Sequence, residues 1–268
     1  MLIGPGRADA LHVMSFNLWY ASKRRPNSWS RRRRAMAELL RVEQPAVLGT
    51  QEGMAGQLED VAADLPGYYA WIGVGRAGGR RDEFMAVFYD TRRLAAVESG
   101  HFWLSDTPEV VGSRSWGNRC IRMVTWARFA DQRTRREFVL LNTHFDNLSE
   151  HSRVRSAELV RDRINAIDPG LPVVLTGDFN APAQASAAYD ILVGGAGLTD
   201  TWTAAADLRS PRYATWHGYL PLVPDGARID WILTRGAVTV FAAGINTFAH
   251  DGLFPSDHFP VQALIGTG

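Results

Sequence analysis

The chain has one cysteine, Cys120, and one lysine, Lys23, and each scarcity excludes a class of protein. A single thiol cannot build an internal disulfide framework, and it suits a reducing compartment. Cys120 itself reads as a small buried or half-buried apolar residue. There is no lysine-rich stripe, and Lys+Arg 29 against Asp+Glu 28 leaves a formal charge of +1. A broadly cationic nucleic-acid binder is thereby excluded. Long apolar runs are also missing, and Met1 to Ala10 lacks the basic-then-apolar order of a signal peptide. A cytoplasmic monomer without membrane contact is therefore expected, and the sequon Asn147-Leu148-Ser149 carries little meaning there. With no repeat, low-complexity tract or linker, residues 1–268 read as one domain.

What is present is ample core material: 46% hydrophobic residues and nine Trp. Leu11 to Leu18 reads as a first strand, followed by a polar loop and a helix over about Ser30 to Val42. Arg31 to Arg34, the most basic run, reads as a solvated first turn, with one arginine free to point back toward a phosphate. Ala46 to Gln51 is a second buried strand, ending at Glu52. Strand-like runs follow at Glu83–Tyr89, Leu94–Val97, His101–Leu104, Ile121–Phe129 and Glu137–Thr143. A helix over about Glu150 to Ile167 precedes the buried run Leu171–Leu175, and Gln184 to Val193 reads as a short helix. Ile229–Thr234, Val238–Ala243 and Phe259–Ile265 look like closing strands. Many strands with interspersed helices suggest an α/β fold of two packed sheets with helices outside.

Gly73-Val74-Gly75-Arg76-Ala77-Gly78 matches the dinucleotide fingerprint by letter. That motif works only between a strand and a helix N-terminus, and here more loop and another strand-like run follow. A flexible hairpin loop is the better reading.

The informative pattern lies where apolar runs stop. They end repeatedly in Phe16-Asn17, Gln51-Glu52, Asn142-Thr143-His144, Gly177-Asp178-Phe179-Asn180 and Ile229-Asp230, with Ser256-Asp257-His258 before the last strand. Asp178 and Asn180 are two residues apart, a spacing that points side chains the same way in extended chain. Each residue alone could be a cap or a satisfied core polar group. Buried strand ends, however, do not tolerate isolated carboxylates. The carboxylates Glu52, Asp178, Asp230 and Asp257, the carboxamides Asn17 and Asn180, and the imidazoles His144 and His258 are better explained by one shared cluster. Oxygen donors predominate and no zinc-like spacing occurs, which favours Mg²⁺ or Mn²⁺.

These segments, in this order, resemble the endonuclease/exonuclease/phosphatase superfamily, the fold of deoxyribonuclease I, from Val13 to Val261. Phe102-Trp103-Leu104-Ser105-Asp106-Thr107-Pro108 and Thr215-Trp216-His217-Gly218 resemble a bacterial subgroup whose substrates are mostly unassigned. The resemblance implies a four-layer α/β/β/α sandwich, two mostly antiparallel sheets flanked by helices, performing Mg²⁺-dependent phosphoester hydrolysis. Glu52 would be the main metal ligand, with Asn17 and Asp257 completing or orienting the shell. Asp178 would align or deprotonate the attacking water, Asn180 would hold a phosphate oxygen, and His144 would donate to one. His258, polarised by Asp230, would be the acid/base or an electrostatic clamp. Arg122, Trp216 and His217 are candidate substrate contacts. The chain departs from the subgroup at Asn147, where a second histidine is common, and at Gly117-Asn118-Arg119-Cys120.

Other chemistries fail on spacing. Ser256, Asp257 and His258 are adjacent and cannot form a hydrolase triad, and neither a Gly-x-Ser-x-Gly elbow nor a Walker loop is present. A non-catalytic binding module would show losses among the eight cluster residues, and none is lost. The near-neutral charge favours a small phosphoester substrate, with a DNA or RNA nuclease as the alternative.

Overall fold

The computed structural model describes residues 1–7 and 9–268. In chain order the elements are β1 (Leu11–Asn17), α1 (Trp29–Glu43), β2 (Val47–Gln51), α2 (Ala55–Asp64), β3 (Tyr69–Ile72), β4 (Val87–Asp90), β5 (Leu94–Trp103), β6 (Met123–Asp131) and β7 (Arg136–His144). They continue with α3 (Glu150–Asn165), β8 (Val173–Asp178), α4 (Ala187–Asp190), a π-turn (Ile191–Gly195), β9 (Thr199–Asp200), α5 (Thr201–Ala204), β10 (Asp207–Leu208), β11 (Asp230–Arg235), β12 (Val238–Ile245) and β13 (Val261–Thr267).

Two sheets form, in the orders β10-β12-β13-β1-β2-β4-β3 and β5-β6-β7-β8-β11-β9. The β1/β2, β7/β8 and β10/β12 pairs are parallel and the others antiparallel. Side-chain alternation makes the layers. Leu11 and Val13 of β1 face the space between the sheets, which Phe129, Phe138, Val174 and Ile265 fill, while Met14 and Phe16 pack outward among Met36 and Leu39 of α1 and Leu58 of α2. A third core joins Leu141, Leu175 and Trp231 of the second sheet to Val160 and Ile164 of α3. The result is the expected helix–sheet–sheet–helix sandwich.

Several local expectations are corrected. The two runs at Leu94–Val97 and His101–Leu104 are one strand, β5, bent by an irregularity between Ala96 and Glu98 opposite β6. Only Val87–Tyr89 of the Glu83–Tyr89 run joins a named strand, β4; before it, Phe84 makes isolated bridges to Gly53 and Gly75. Helix α2 escaped the sequence reading, while the helix expected from Gln184 begins at Ala187. Residues 73–81 form the hairpin connection between β3 and β4, with no helix after the glycines.

The arginine run is not a uniformly solvated turn. Arg32 is fully buried. Its guanidinium donates to the carbonyls of Asn27, Leu18, Pro255, Trp19 and Tyr20 at 2.7–3.1 Å. It thereby ties the loop after β1 to the chain entering Ser256-Asp257-His258. Arg33 instead pairs with Asp60 and Asp64 of α2.

Candidate active site

The parallel pairs β1/β2 and β7/β8 bring Asn17, Glu52, His144 and Asp178 to one end of the sandwich. Antiparallel β11 starts there with Asp230 opposite Asp178. A polar layer beneath holds the two sheets in register. Gln51 Nε2 donates to Asn142 Oδ1 at 2.7 Å, Thr176 Oγ1 donates to the same oxygen at 3.1 Å, and Asn142 Nδ2 reaches the Thr50 carbonyl at 2.8 Å. Gly49 permits this closeness, since a Cβ there would stand 2.4 Å from Thr176 Oγ1.

The chain turns sharply just past the strands. Trp19, Glu52 and Asn180 have φ of 51°, 62° and 48°, a left-handed backbone unusual for non-glycine residues. Asp178 and Asn180 do line one cavity, but strand alternation is not the cause. The left-handed turn at Asn180 folds its own N–H back onto Asp178 Oδ1 at 2.9 Å and carries its amide to His144 Nε2 at 3.0 Å and the Phe145 carbonyl at 3.1 Å.

Around Asp178 the contacts converge. Asn17 Nδ2 lies 2.9 Å from Asp178 Oδ2 and 3.0 Å from Glu52 Oε1, while Asn17 Oδ1 accepts the Trp19 N–H at 2.9 Å. That last bond turns the amide nitrogen toward the two carboxylates. His258 Nδ1 is 2.9 Å from Asp230 Oδ2, and its Nε2 is 3.7 Å from Asp178 Oδ2. Asp257 receives Ser256 Oγ at 3.3 Å and Trp216 Nε1 at 3.4 Å.

Electrostatics follow from this crowding. Burial pushes the Asp178 carboxyl up and Asp230 adds to the push, while His258, Asn17 and the Asn180 N–H oppose it, leaving it at about 7. Burial alone would lower His258, but Asp230 and Asp178 outweigh it and hold the imidazole well above its ordinary range. His144 goes the other way: burial first, then Arg122, Arg76 and His258, keep it neutral. Burial raises Asp257, opposed by His258 and reinforced by Glu52.

A cavity of about 490 Å³ opens above these groups, lined on one side by Trp19, Tyr20, Trp216, Asp257 and His258. The other side carries Arg76, Glu83, Cys120, Arg122 and Asn147. Asp230 lies behind His258 and is buried. His217 does not line the cavity. It is buried behind Asp257, with its ring stacked on Phe259 at 4.0 Å and its N–H bonded to the Asp257 carbonyl, which corrects its expected role as a substrate contact. The sequence reading missed Arg76 and Glu83, because they sit in a hairpin whose glycines signal only a loop; their 2.7 Å ion pair is a tertiary fact.

The metal-ligating potential is concentrated here. Glu52, His144 and Asp178 each offer a ligand atom with all three within 4.8 Å of one another, as do Asp178, Asp230 and His258. Mutually repelling carboxylates facing one cavity suit a divalent cation, and the oxygen-rich set suits a hard one.

Comparison with known proteins agrees. The profile of the "Endonuclease/Exonuclease/phosphatase family" matches residues 14–258. The chain is similar to an endonuclease/exonuclease/phosphatase from Bacteroides vulgatus, with TM-score 0.90 and 32% identity, covering 97% of this chain and 99% of that one. It is also similar to a mannosyl-6-phosphatase from Bacteroides thetaiotaomicron, with TM-score 0.87 and 32% identity over 95% and 99% of the two chains. An uncharacterized protein of Acanthamoeba polyphaga mimivirus is 29% identical over 160 residues, 57% of this chain and 59% of that protein, so the chain covers less than two thirds of that curated relative. A sandwich of this topology with a carboxylate–imidazole cluster at its mouth, matched by profile and by structure, belongs to the endonuclease/exonuclease/phosphatase family of phosphoester hydrolases.

Proposed function

We propose that the protein hydrolyses a phosphoester of a small metabolite, such as a sugar phosphate, with Mg²⁺ or Mn²⁺ bound. The observation that carries this reading is the walled cavity of about 490 Å³ in which buried Asp178 meets Glu52, Asn180 and His258. Its size suits a small ligand better than a tracked polymer. The similarity to a mannosyl-6-phosphatase supports the same class.

Glu52 and Asp257 would hold the cation, with Asn17 orienting the Glu52 and Asp178 carboxylates. When bound, the cation would supply Lewis-acid stabilisation of charge developing on the phosphoryl oxygens. Asp178, at about 7, is suited to align an attacking water and accept its proton near neutral pH. His258, held protonated by Asp230, clamps the phosphoryl group or gives its Nε2 proton to the leaving oxygen. Its Nδ1–H stays on Asp230, so the ring cannot rotate away. Asn180 holds a phosphoryl oxygen beside neutral His144. Trp19 and Trp216 wall the leaving group.

The test is a screen of phosphomonoesters, diesters, dinucleotides and oligonucleotides with Mg²⁺, before and after exhaustive chelation. Turnover of a small phosphoester that chelation abolishes is expected. Full activity in chelator overturns the metal dependence, and preferred turnover of oligonucleotides with steep salt dependence makes the protein a nuclease instead.

A further inference from the structure

The flank of the cavity away from His258 holds a group that the hydrolytic chemistry does not use. Arg122 immediately precedes β6 and is only 3% exposed. Its Nη2 makes one long bond, 3.4 Å, to Asn147 Oδ1. Asp146 Oδ2 stands 3.9 Å from Nε, too far for a hydrogen bond. Among the described residues, Nε and Nη1 have no hydrogen-bond partner although both are buried. Asp146 cannot move closer freely, because its Oδ1 accepts the N–H groups of Leu148 and Ser149.

The neighbouring arginine is different. Arg76 is closed off by Asp82 at 2.9 Å and Glu83 at 2.7 Å, so its charge is spent within the protein. Arg122 lines the cavity with two buried nitrogens unmet by the protein, and a buried guanidinium in that condition is costly unless an anion meets it. Its location says which anion. In the sheet order the strands run β6, β7, β8, so Arg122, His144 and Asp178 stand at three successive strand ends. With strands ~5 Å apart, the backbone of Arg122 is roughly 10 Å from that of Asp178. The strand end of His144 thus stands between those of Arg122 and Asp178.

We propose that Arg122 forms a second anion subsite, and that the natural substrate is a small phosphoester carrying a further acidic group, phosphate or carboxylate, held there by the guanidinium fork. Asn147 and Asp146 orient the fork without saturating it. The substrate class rests on the phosphoesterase reading above; the subsite itself does not.

Two measurements separate these. In chelator, where the acidic hydrolytic face repels anions, inorganic phosphate is titrated calorimetrically into wild type, Arg122→Lys and Arg122→Gln. Wild type should bind, Arg122→Lys more weakly because it lacks the fork, and Arg122→Gln on the order of 10-fold or more weakly. Absence of binding by wild type, or equal binding by folded Arg122→Gln, overturns the subsite. If Arg122→Gln does not fold, equal binding by Arg122→Lys and wild type overturns it. With Mg²⁺, kcat/KM is then compared for glucose 1,6-bisphosphate and glucose 6-phosphate. Wild type should favour the bisphosphate by roughly 10- to 100-fold, and Arg122→Gln should bring the ratio toward one. Equal losses on both substrates, or no preference in wild type, overturn the second-anion assignment. If wild type turns over neither, the phosphoesterase reading fails for such substrates while the phosphate titration still decides the subsite.

Discussion

Two buried histidines, each beside a glutamate or aspartate, are shifted in opposite directions although burial lowers both. His258 is 5% exposed and His12 is 0% exposed. His258 Nδ1 meets the Asp230 carboxylate itself at 2.9 Å, and Asp178 stands on its other side. His12 Nδ1 meets only the backbone carbonyl of Glu43, at 3.2 Å. The Glu43 carboxylate is spent elsewhere, on the N–H groups of Leu2, Ile3 and Gly4 and on Asn246 Nδ2. Burial therefore wins at His12, which falls to about 4 despite the raising effect of Glu43, and loses at His258. A carboxylate nearby is not enough; its lone pairs must be free to take the imidazole proton. At the cavity this makes a charged imidazole, and at the start of β1 a neutral structural one.

The sharpest way to break the contrast is at the site. Asp178→Asn should reduce phosphoester turnover by ~1000-fold or more, since it removes the group proposed to take the water's proton. Its Tm at neutral pH should not fall, because Asp178 and Asp230 repel across the ladder. A parallel loss of Tm and activity would make Asp178 a structural residue. Asp230→Asn should cost kcat by roughly 100-fold with little change in KM. It should also return the His258 imidazole to a lower pKa, followed by its ring-proton shifts in NMR. An unchanged His258 titration would sink the pairing argument.

Next comes the brace rather than the chemistry. Arg32→Met should destabilise the fold by about 4 kcal/mol, because it removes a buried charge's donors from five carbonyls, those of Leu18 and Pro255 buried. Arg31→Ala, whose side chain reaches only the Pro26 carbonyl at an exposed position, should change stability by less than ~0.5 kcal/mol. Denaturant midpoints would show whether the two adjacent arginines differ as the structure requires.

A pH slope follows. His12 has a folded pKa near 4 against an unfolded value of 6.5, so the unfolded chain binds more protons between those values. Stability is complete above about pH 6.5 and falls as the pH drops toward 4, by up to about 3 kcal/mol from this group. His217, also near 4 through burial, adds in the same direction. His258, raised, contributes stability that is present at low pH and lost as the pH climbs through its folded value. His12→Gln should therefore flatten the fall in Tm below pH 6.5, and His258→Gln should flatten the fall above it. Both variants acting on the same side of pH 6.5 would refute the contrast.

Residue types at the ends of apolar runs were enough to find most of the site. A carboxylate or amide that stops a buried strand is anomalous locally, so Asn17, Glu52, His144, Asp178, Asn180, Asp230, Asp257 and His258 stood out, and their order matched a known family. The layered fold was legible for the same reason: strand periods and buried runs are properties of neighbours in sequence. What neighbours do not contain is pairing between distant segments. Arg31 through Arg34 are identical letters, and only the packing of α1 against the loops at Leu18 and Pro255 buries Arg32 and leaves its neighbours outside. Arg76 and Glu83 enter the cavity because β4 pairs with β2, and His217 leaves it because its ring stacks on Phe259. The aim of Asn180 depends on a left-handed turn that its sequence merely tolerates. Charge state is the furthest from sequence, since His12 and His258 differ only in which distant oxygen meets the ring and how far that oxygen is already committed.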